Sequence, residues 1–118
     1  EEIPEEDYFD NPNCGDKVAI RVTVNGSGII SCITFSGDGC AISISSASMM
    51  TEYLIGKSTE EARWYAKSFI KGLRDGGDFP VSEEAELYAL KGIQQYPMRT
   101  KCATLPWHAF LSSLEKLI

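Results

Sequence analysis

The chain lacks several features that would place it in a class at once. No apolar run approaches the ~20 residues a membrane helix needs, and no secretory leader pattern opens the sequence. Basic residues are few and scattered: 11 Lys and Arg stand against 17 Asp and Glu, a formal net charge of −6, which argues against a nucleic-acid surface. Histidine is nearly missing. His108 is the single one and there is no His-Glu-x-x-His motif, so a zinc hydrolase, which needs an open coordination position and a general base, is a remote reading. The four cysteines, Cys14, Cys32, Cys40 and Cys102, do not show the paired C-x-x-C spacing of a structural zinc ribbon. Internal repeats and low-complexity segments are absent as well. A chain of this size does not need disulfide staples and nothing else in it looks secreted. A reducing, cytoplasmic compartment is therefore expected, in which the cysteines call for a metal, a catalytic or a packing role.

What is present suits one globular domain over residues 1–118: 43% of residues are hydrophobic and 24% charged, enough for a core. Glu1, Glu2, Glu5, Glu6 and Asp7 make residues 1–10 an acidic segment that reads as a solvated tail. Because Glu1 rather than Met opens the chain, an upstream segment is expected. A short strand is expected around Tyr8 and Phe9, followed by a turn at Asn11-Pro12-Asn13. From Lys17 to Val24 the pattern alternates, with Val18, Ile20, Val22 and Val24 on one face and Lys17, Arg21 and Thr23 on the other. Asn25-Gly26 signals a two-residue hairpin. The return strand, Ile29 to Phe35, puts Ile29, Ile33 and Phe35 on one face and Ile30, Cys32 and Thr34 on the other.

The remainder reads as helix. A first helix is expected from about Ala41 to Ile55, carrying Ile42, Met49, Met50, Tyr53 and Leu54 and stopping at Gly56. Ser58-Thr59-Glu60-Glu61 is a capping box opening a second, with Ala62, Tyr65, Ala66, Phe69, Ile70 and Leu73 at helical spacing. Ser82 caps a third through about Gln95, which Pro97 breaks, and Pro106 starts a last helix with the stripe Trp107, Phe110, Leu111, Leu114 and Leu117. Strands first and helices after predict an α+β fold, a small antiparallel sheet of two to three strands covered on one side by about four helices.

The most legible stretch for chemistry is Ser36 to Met50, where a strand runs through a Gly-rich turn into a helix of small residues. Cys40 stands at that junction, where backbone N–H groups and the helix dipole favour a thiolate. Cys14 and Asp16 precede the first hairpin strand and Cys40 follows the second, so antiparallel counting brings them to one end of the sheet. Cys102 joins them if the final helix starts at that end. Three thiolates and a carboxylate suit tetrahedral zinc; on chemistry alone, buried cysteines without a metal stay open beside it. Cys32, on the opposite strand face from Ile33 and Phe35, reads as a small strand residue and not a ligand. Lys101 is either a cation that lowers the Cys102 pKa or a solvated lysine. His108 reads as a surface or packing residue, Trp107 and Met49-Met50 as core, and Arg63, Lys67, Lys71 and Arg74 as a solvated basic stripe.

Asn-Pro-x-Cys-Gly-Asp at 11–16, Gly-x-Gly-Cys-Ala-Ile-Ser at 37–43 running on to Ser-Ala-Ser-Met-Met at 46–50, and Arg-x-Lys-Cys-Ala-Thr-Leu-x-Trp at 99–107 resemble the U-type iron–sulfur cluster assembly family. That family includes IscU and the N-terminal domain of NifU, and the similarity is greatest to its SufU branch. Lys101 stands where scaffold-type IscU proteins have His, and residues from about Ala66 to Glu84 resemble the SufU insertion. Family members usually begin with a helix upstream of the position of Glu1, so truncation or disorder of that segment is expected. The resemblance implies an IscU/SufU-like fold and a metal site of Cys14, Asp16, Cys40 and Cys102 holding zinc. It implies Cys14 as the acceptor of persulfide sulfur from a SufS-like cysteine desulfurase, the sulfur passing on to downstream iron–sulfur assembly or acceptor proteins. Such a protein is a sulfurtransferase-like acceptor, not a stand-alone enzyme, with no nucleic acid or membrane among its partners. The alternative within the family is a scaffold that builds a 2Fe–2S cluster, bringing iron, on Cys14, Cys40 and Cys102. An inert structural zinc domain is a further alternative.

Overall fold

The alternation from Lys17 to Val24 becomes the central strand of the sheet in the computed structural model, which describes residues 9–11, 16–38, 41–75, 94 and 96–116. β1 (Phe9–Asn11), β2 (Asp16–Val24) and β3 (Ile30–Asp38) form a three-stranded antiparallel sheet in the order β1-β2-β3. Val18 and Ile20 are buried, and Arg21 and Thr23 are exposed, as alternation requires. Ala19 is a buried exception on the outer face. Of the first three helices expected after the sheet, two lie among the described residues, α1 (Ala41–Leu54) and α2 (Thr59–Asp75); the helix expected from Ser82 falls largely outside them, and Gln94 near its expected end sits in a turn. The chain closes with α3 (Pro97–Lys116). Helices packed on one face of an antiparallel sheet are the α+β arrangement expected. Among the described residues no helix is long and apolar enough to cross a membrane.

Two local expectations about the hairpin are corrected. The turn is not a two-residue Asn25-Gly26 turn. Gly28 N donates to Asn25 O (3.1 Å) and Asn25 N to Ile29 O (2.9 Å), while Gly28 takes a φ of 78°. This is a three-residue loop whose left-handed position is filled by Gly28. Asn25 contributes through its side chain, because Oδ1 accepts from Ser27 N and Ile29 N. The second correction concerns Ile30. Thr23 pairs with Cys32 but Val24 pairs with Ile30, so Ser31 is an extra residue in β3. This bulge reverses the parity before Cys32 and turns Ile30 into the core, fully buried beside Ile33. Cys32 stays exposed, as its parity with Ile33 predicted.

Ser58 caps α2 as expected: Glu61 N donates to Ser58 Oγ at 3.2 Å. Ala62, Ala66, Phe69, Ile70 and Leu73 are its buried face. Gly56, at φ 91°, ends α1 and its N–H donates to Ile30 O, so the α1–α2 connection docks on the start of β3.

The last helix differs most from expectation. It starts at Pro97, not Pro106, and carries Pro106 in its interior. Pro97 suits the first helical position, where its missing N–H is not needed. From Cys102 to Trp107 every residue is buried, and only Lys101 and His108 on either side are exposed. A helix buried all round is enclosed by neighbours. α3 packs against α1, α2, β1 and β2, and Ser113 donates a hydrogen bond to the Ile20 carbonyl.

Candidate metal-binding site

Strand pairing sets the first half of the site. β2 begins at Asp16 and β3 ends at Asp38, with Lys17 opposite Asp38 and Val18 opposite Gly37. The chain therefore enters and leaves the hairpin side by side. Gly37 makes that closure possible: at φ 145° a Cβ there would stand 1.9 Å from the Lys17 carbonyl oxygen, on rigid backbone. Asp16 is placed by its backbone at the start of β2, paired with Asn11 of β1. Cys14, two residues before Asp16 in sequence, and Cys40, immediately before the first residue of α1, lie outside the described residues, as does Gly39.

Cys102 is described fully. It was expected just before a helix and lies inside one, 3% exposed. Pro106 gives the physical reason that its surroundings are unusual. Proline has no N–H and its ring crowds the carbonyl four residues earlier, which in a helix interior costs about 3 kcal/mol. Here that carbonyl belongs to Cys102, and it accepts a hydrogen bond at 3.0 Å from Ser43 Oγ in the first turn of α1. One turn further along, Ser46 Oγ donates to the Ala103 carbonyl (2.7 Å) and accepts from Trp107 Nε1 (2.9 Å). A buried carbonyl or indole N–H without such a partner would destabilise by about 1–3 kcal/mol. Ser43 and Ser46 are both completely buried, and no buried side-chain polar atom among the described residues lacks a partner.

The turn of α3 that bears Cys102 is therefore bonded to the first turn of α1, three residues after Cys40 in the sequence. Asp16 is the carboxylate at the entry to β2. Among the described residues no three His, Cys, Asp or Glu side chains come together. The donor chemistry of the four expected residues fits a zinc ion, which takes thiolate sulfur and carboxylate oxygen in tetrahedral sets. A thiolate as buried as Cys102 needs a compensating cation nearby, and a divalent metal is one.

The remaining expectations separate clearly. Lys101 is exposed. His108, six residues beyond Cys102, lies roughly 120° around the helix from it. Partial burial pushes its pKa below the ordinary 6.5, and the Arg74 cation of α2 pushes the same way. His108 is partly exposed, as a packing or surface residue would be. Trp107 and Met50 are core residues and Met49 packs against the core. Lys67, Lys71 and Arg74 are exposed on α2, with Arg74 paired to its neighbour Asp75. Ser43, Ser46 and Trp107 were not read from the sequence as a polar cluster. The available signal was Ser43, Ser46, Ala47, Met50 and Leu54 at helical spacing, the buried face of α1.

Comparison with known proteins is consistent across sequence and fold. A model of the NifU-like N-terminal domain family matches residues 2–103. The chain is 37% identical over 109 residues to a zinc-dependent sulfurtransferase SufU of Bacillus subtilis, covering 92% of this chain and 73% of that protein. It is 39% identical over 109 residues to an iron–sulfur cluster assembly scaffold protein IscU of Streptococcus pyogenes, covering 92% and 67%. A crystal structure of a putative iron–sulfur cluster assembly scaffold protein for the SUF system, from Fervidobacterium islandicum, superposes with a TM-score of 0.80 at 33% identity, covering 91% of this chain and 77% of that one.

Proposed function

We propose, from the premise that this chain belongs to the NifU-like N-terminal domain family, that it is a zinc-dependent sulfur acceptor in iron–sulfur cluster assembly. Cys14, Asp16, Cys40 and Cys102 are the metal ligands in this reading. The observation that carries it is the Ser43–Cys102 hydrogen bond, which ties a nearly buried cysteine to the helix start that follows Cys40. The SufU relative, named a zinc-dependent sulfurtransferase, supports the metal and the activity.

When bound, zinc would keep the cysteines as thiolates at neutral pH. The Cys14 thiolate then attacks the outer sulfur of a persulfide on a cysteine desulfurase. A new S–S bond forms at Cys14, the bond between the two donor sulfurs breaks, and the donor cysteine leaves as a thiolate. No external oxidant or reductant enters. Asp16 is the hard ligand of the set. Held by three thiolates and this carboxylate, a zinc ion would sit in a net anionic set of ligands, which an incoming neutral imidazole from the partner would relieve.

The test is metal content followed by turnover. The purified protein should hold about one zinc per chain, zinc binding should fall sharply in Cys102→Ser, and desulfurase turnover should rise on adding the wild type but not Cys14→Ser. Undiminished sulfur transfer by Asp16→Ala at full zinc loading would remove Asp16 from the reaction. Alkylation that modifies all the ligand cysteines equally slowly, with no desulfurase stimulation, would favour an inert structural zinc domain. The IscU relative supports a second reading, a scaffold for a 2Fe–2S cluster on the same ligands. A stable chromophore after anaerobic reconstitution, with weak zinc binding, selects it.

A further inference from the structure

Pro106 and Ser43 are 63 positions apart in sequence and meet at one atom, the carbonyl oxygen of Cys102. Pro106 withholds the helical donor that this carbonyl would otherwise receive, because a prolyl nitrogen bears no hydrogen. Ser43 supplies one from another helix. An ordinary residue at 106 would offer the Cys102 carbonyl a donor from within α3, so that the bond from Ser43 would be a second one rather than a replacement. With proline there, the carbonyl beside a ligand cysteine is open to a donor from α1, and a hydrogen bond holds distance and angle more tightly than an apolar contact does. The second serine, Ser46, repeats the contact one turn later and is itself held by Trp107 Nε1.

We propose that Ser43 is a positioning residue for the metal site, acting with Pro106 as a proline–serine pair that fixes the Cys102 turn of α3 against the first turn of α1. The role rests on the reading of Cys40 and Cys102 as ligands of one metal. Groups that hydrogen-bond around metal ligands tune affinity by orienting those ligands, and their loss commonly weakens binding by about 10–100-fold. Ser43 is such a group acting through the ligand's own backbone.

Two measurements on the full-length chain test the pair. The first is equilibrium unfolding of wild type, Ser43→Ala, Pro106→Ala and the double variant at fixed zinc. Ser43→Ala should raise the unfolding constant roughly tenfold in the parent, and only about threefold or less beside Pro106→Ala, where position 106 regains an N–H for the Cys102 carbonyl. Equal losses in the two backgrounds overturn the pair. Should Ser43→Ala fail to fold alone, recovery of folding in the double variant supports it and continued failure overturns it. The second is zinc affinity by chelator competition. Ser43→Ala should bind about 10–100-fold more weakly, with Ser43→Thr, which keeps the hydroxyl, much closer to wild type. Unchanged affinity in folded Ser43→Ala, while the wild type binds tightly through Cys102, overturns the positioning role alone. Wild-type zinc binding that is absent, or indifferent to Cys102→Ser, overturns the metal reading and this role with it.

Discussion

α3 has two kinds of neighbour, and it meets them by opposite means. Toward α2 it presents apolar surface: Trp107 stacks on Phe69 with ring centroids 4.6 Å apart at 25°, among Ala62, Ala66 and Leu73. Toward α1 it meets small polar residues, Ser43 and Ser46, each bonded to a backbone carbonyl of α3. The apolar contact is non-directional and is stabilised in proportion to the area buried. The polar contact contributes less net stability, but it specifies one alignment and leaves unpartnered groups if that alignment is lost. Stability and placement are thus divided between the two sides of one helix, and the backbone carbonyl of Cys102 is bonded on the side devoted to placement. Trp107 belongs to both, with its ring on Phe69 and its N–H on Ser46.

Substitutions at that shared residue test the division directly. Trp107→Ala removes both contacts and should destabilise by about 3–5 kcal/mol in chemical denaturation. Trp107→Phe keeps an aromatic ring against Phe69 and loses the indole N–H; it and Ser46→Ala should each cost about 1–3 kcal/mol. Because both break the Trp107–Ser46 bond, the double change should cost clearly less than their sum. Strict additivity would show that the Trp107–Ser46 bond does not couple the two residues. The smallest effect belongs to His108, on the α2 side. Its folded pKa lies below its unfolded value, so the unfolded chain binds the proton more readily. The associated stability is present above the ordinary pKa of 6.5 and is lost as pH falls through the folded value. An NMR titration of this single histidine should give a midpoint below 6.5 that rises only part of the way back in Arg74→Gln, because burial is the larger cause.

Much of the framework was legible because its signals are local. The alternation in Lys17–Val24 gave β2, Ser58 with Glu61 opened α2, and Gly56 closed α1, each within a few residues. Counting across one hairpin placed the entry to β2 beside the exit from β3, and the Lys17–Asp38 pairing bears that out. The motif around Cys102 was legible as a resemblance, but its setting was not. Read locally, Pro106 opens a helix, since an interior proline is strongly disfavoured. The helix nevertheless passes through it, and Ser43, brought in by the tertiary fold, donates to the carbonyl that proline leaves. Ile30 was misassigned for a related reason: the extra residue at Ser31 is visible only once β3 is paired with β2.

By itself the sequence determined the order of the described strands and helices, the caps at Ser58 and Gly56, the existence of the hairpin and the set of residues with ligand chemistry, since all of these depend on neighbours in the chain. The tertiary structure alone decided where α3 begins, which way Ile30 faces and what holds Cys102 in place. Those outcomes turn on hydrogen bonds and pairing between residues far apart in sequence, 59 positions in the case of Ser43 and Cys102. No local pattern records whether a backbone group left open by one segment will be met by another.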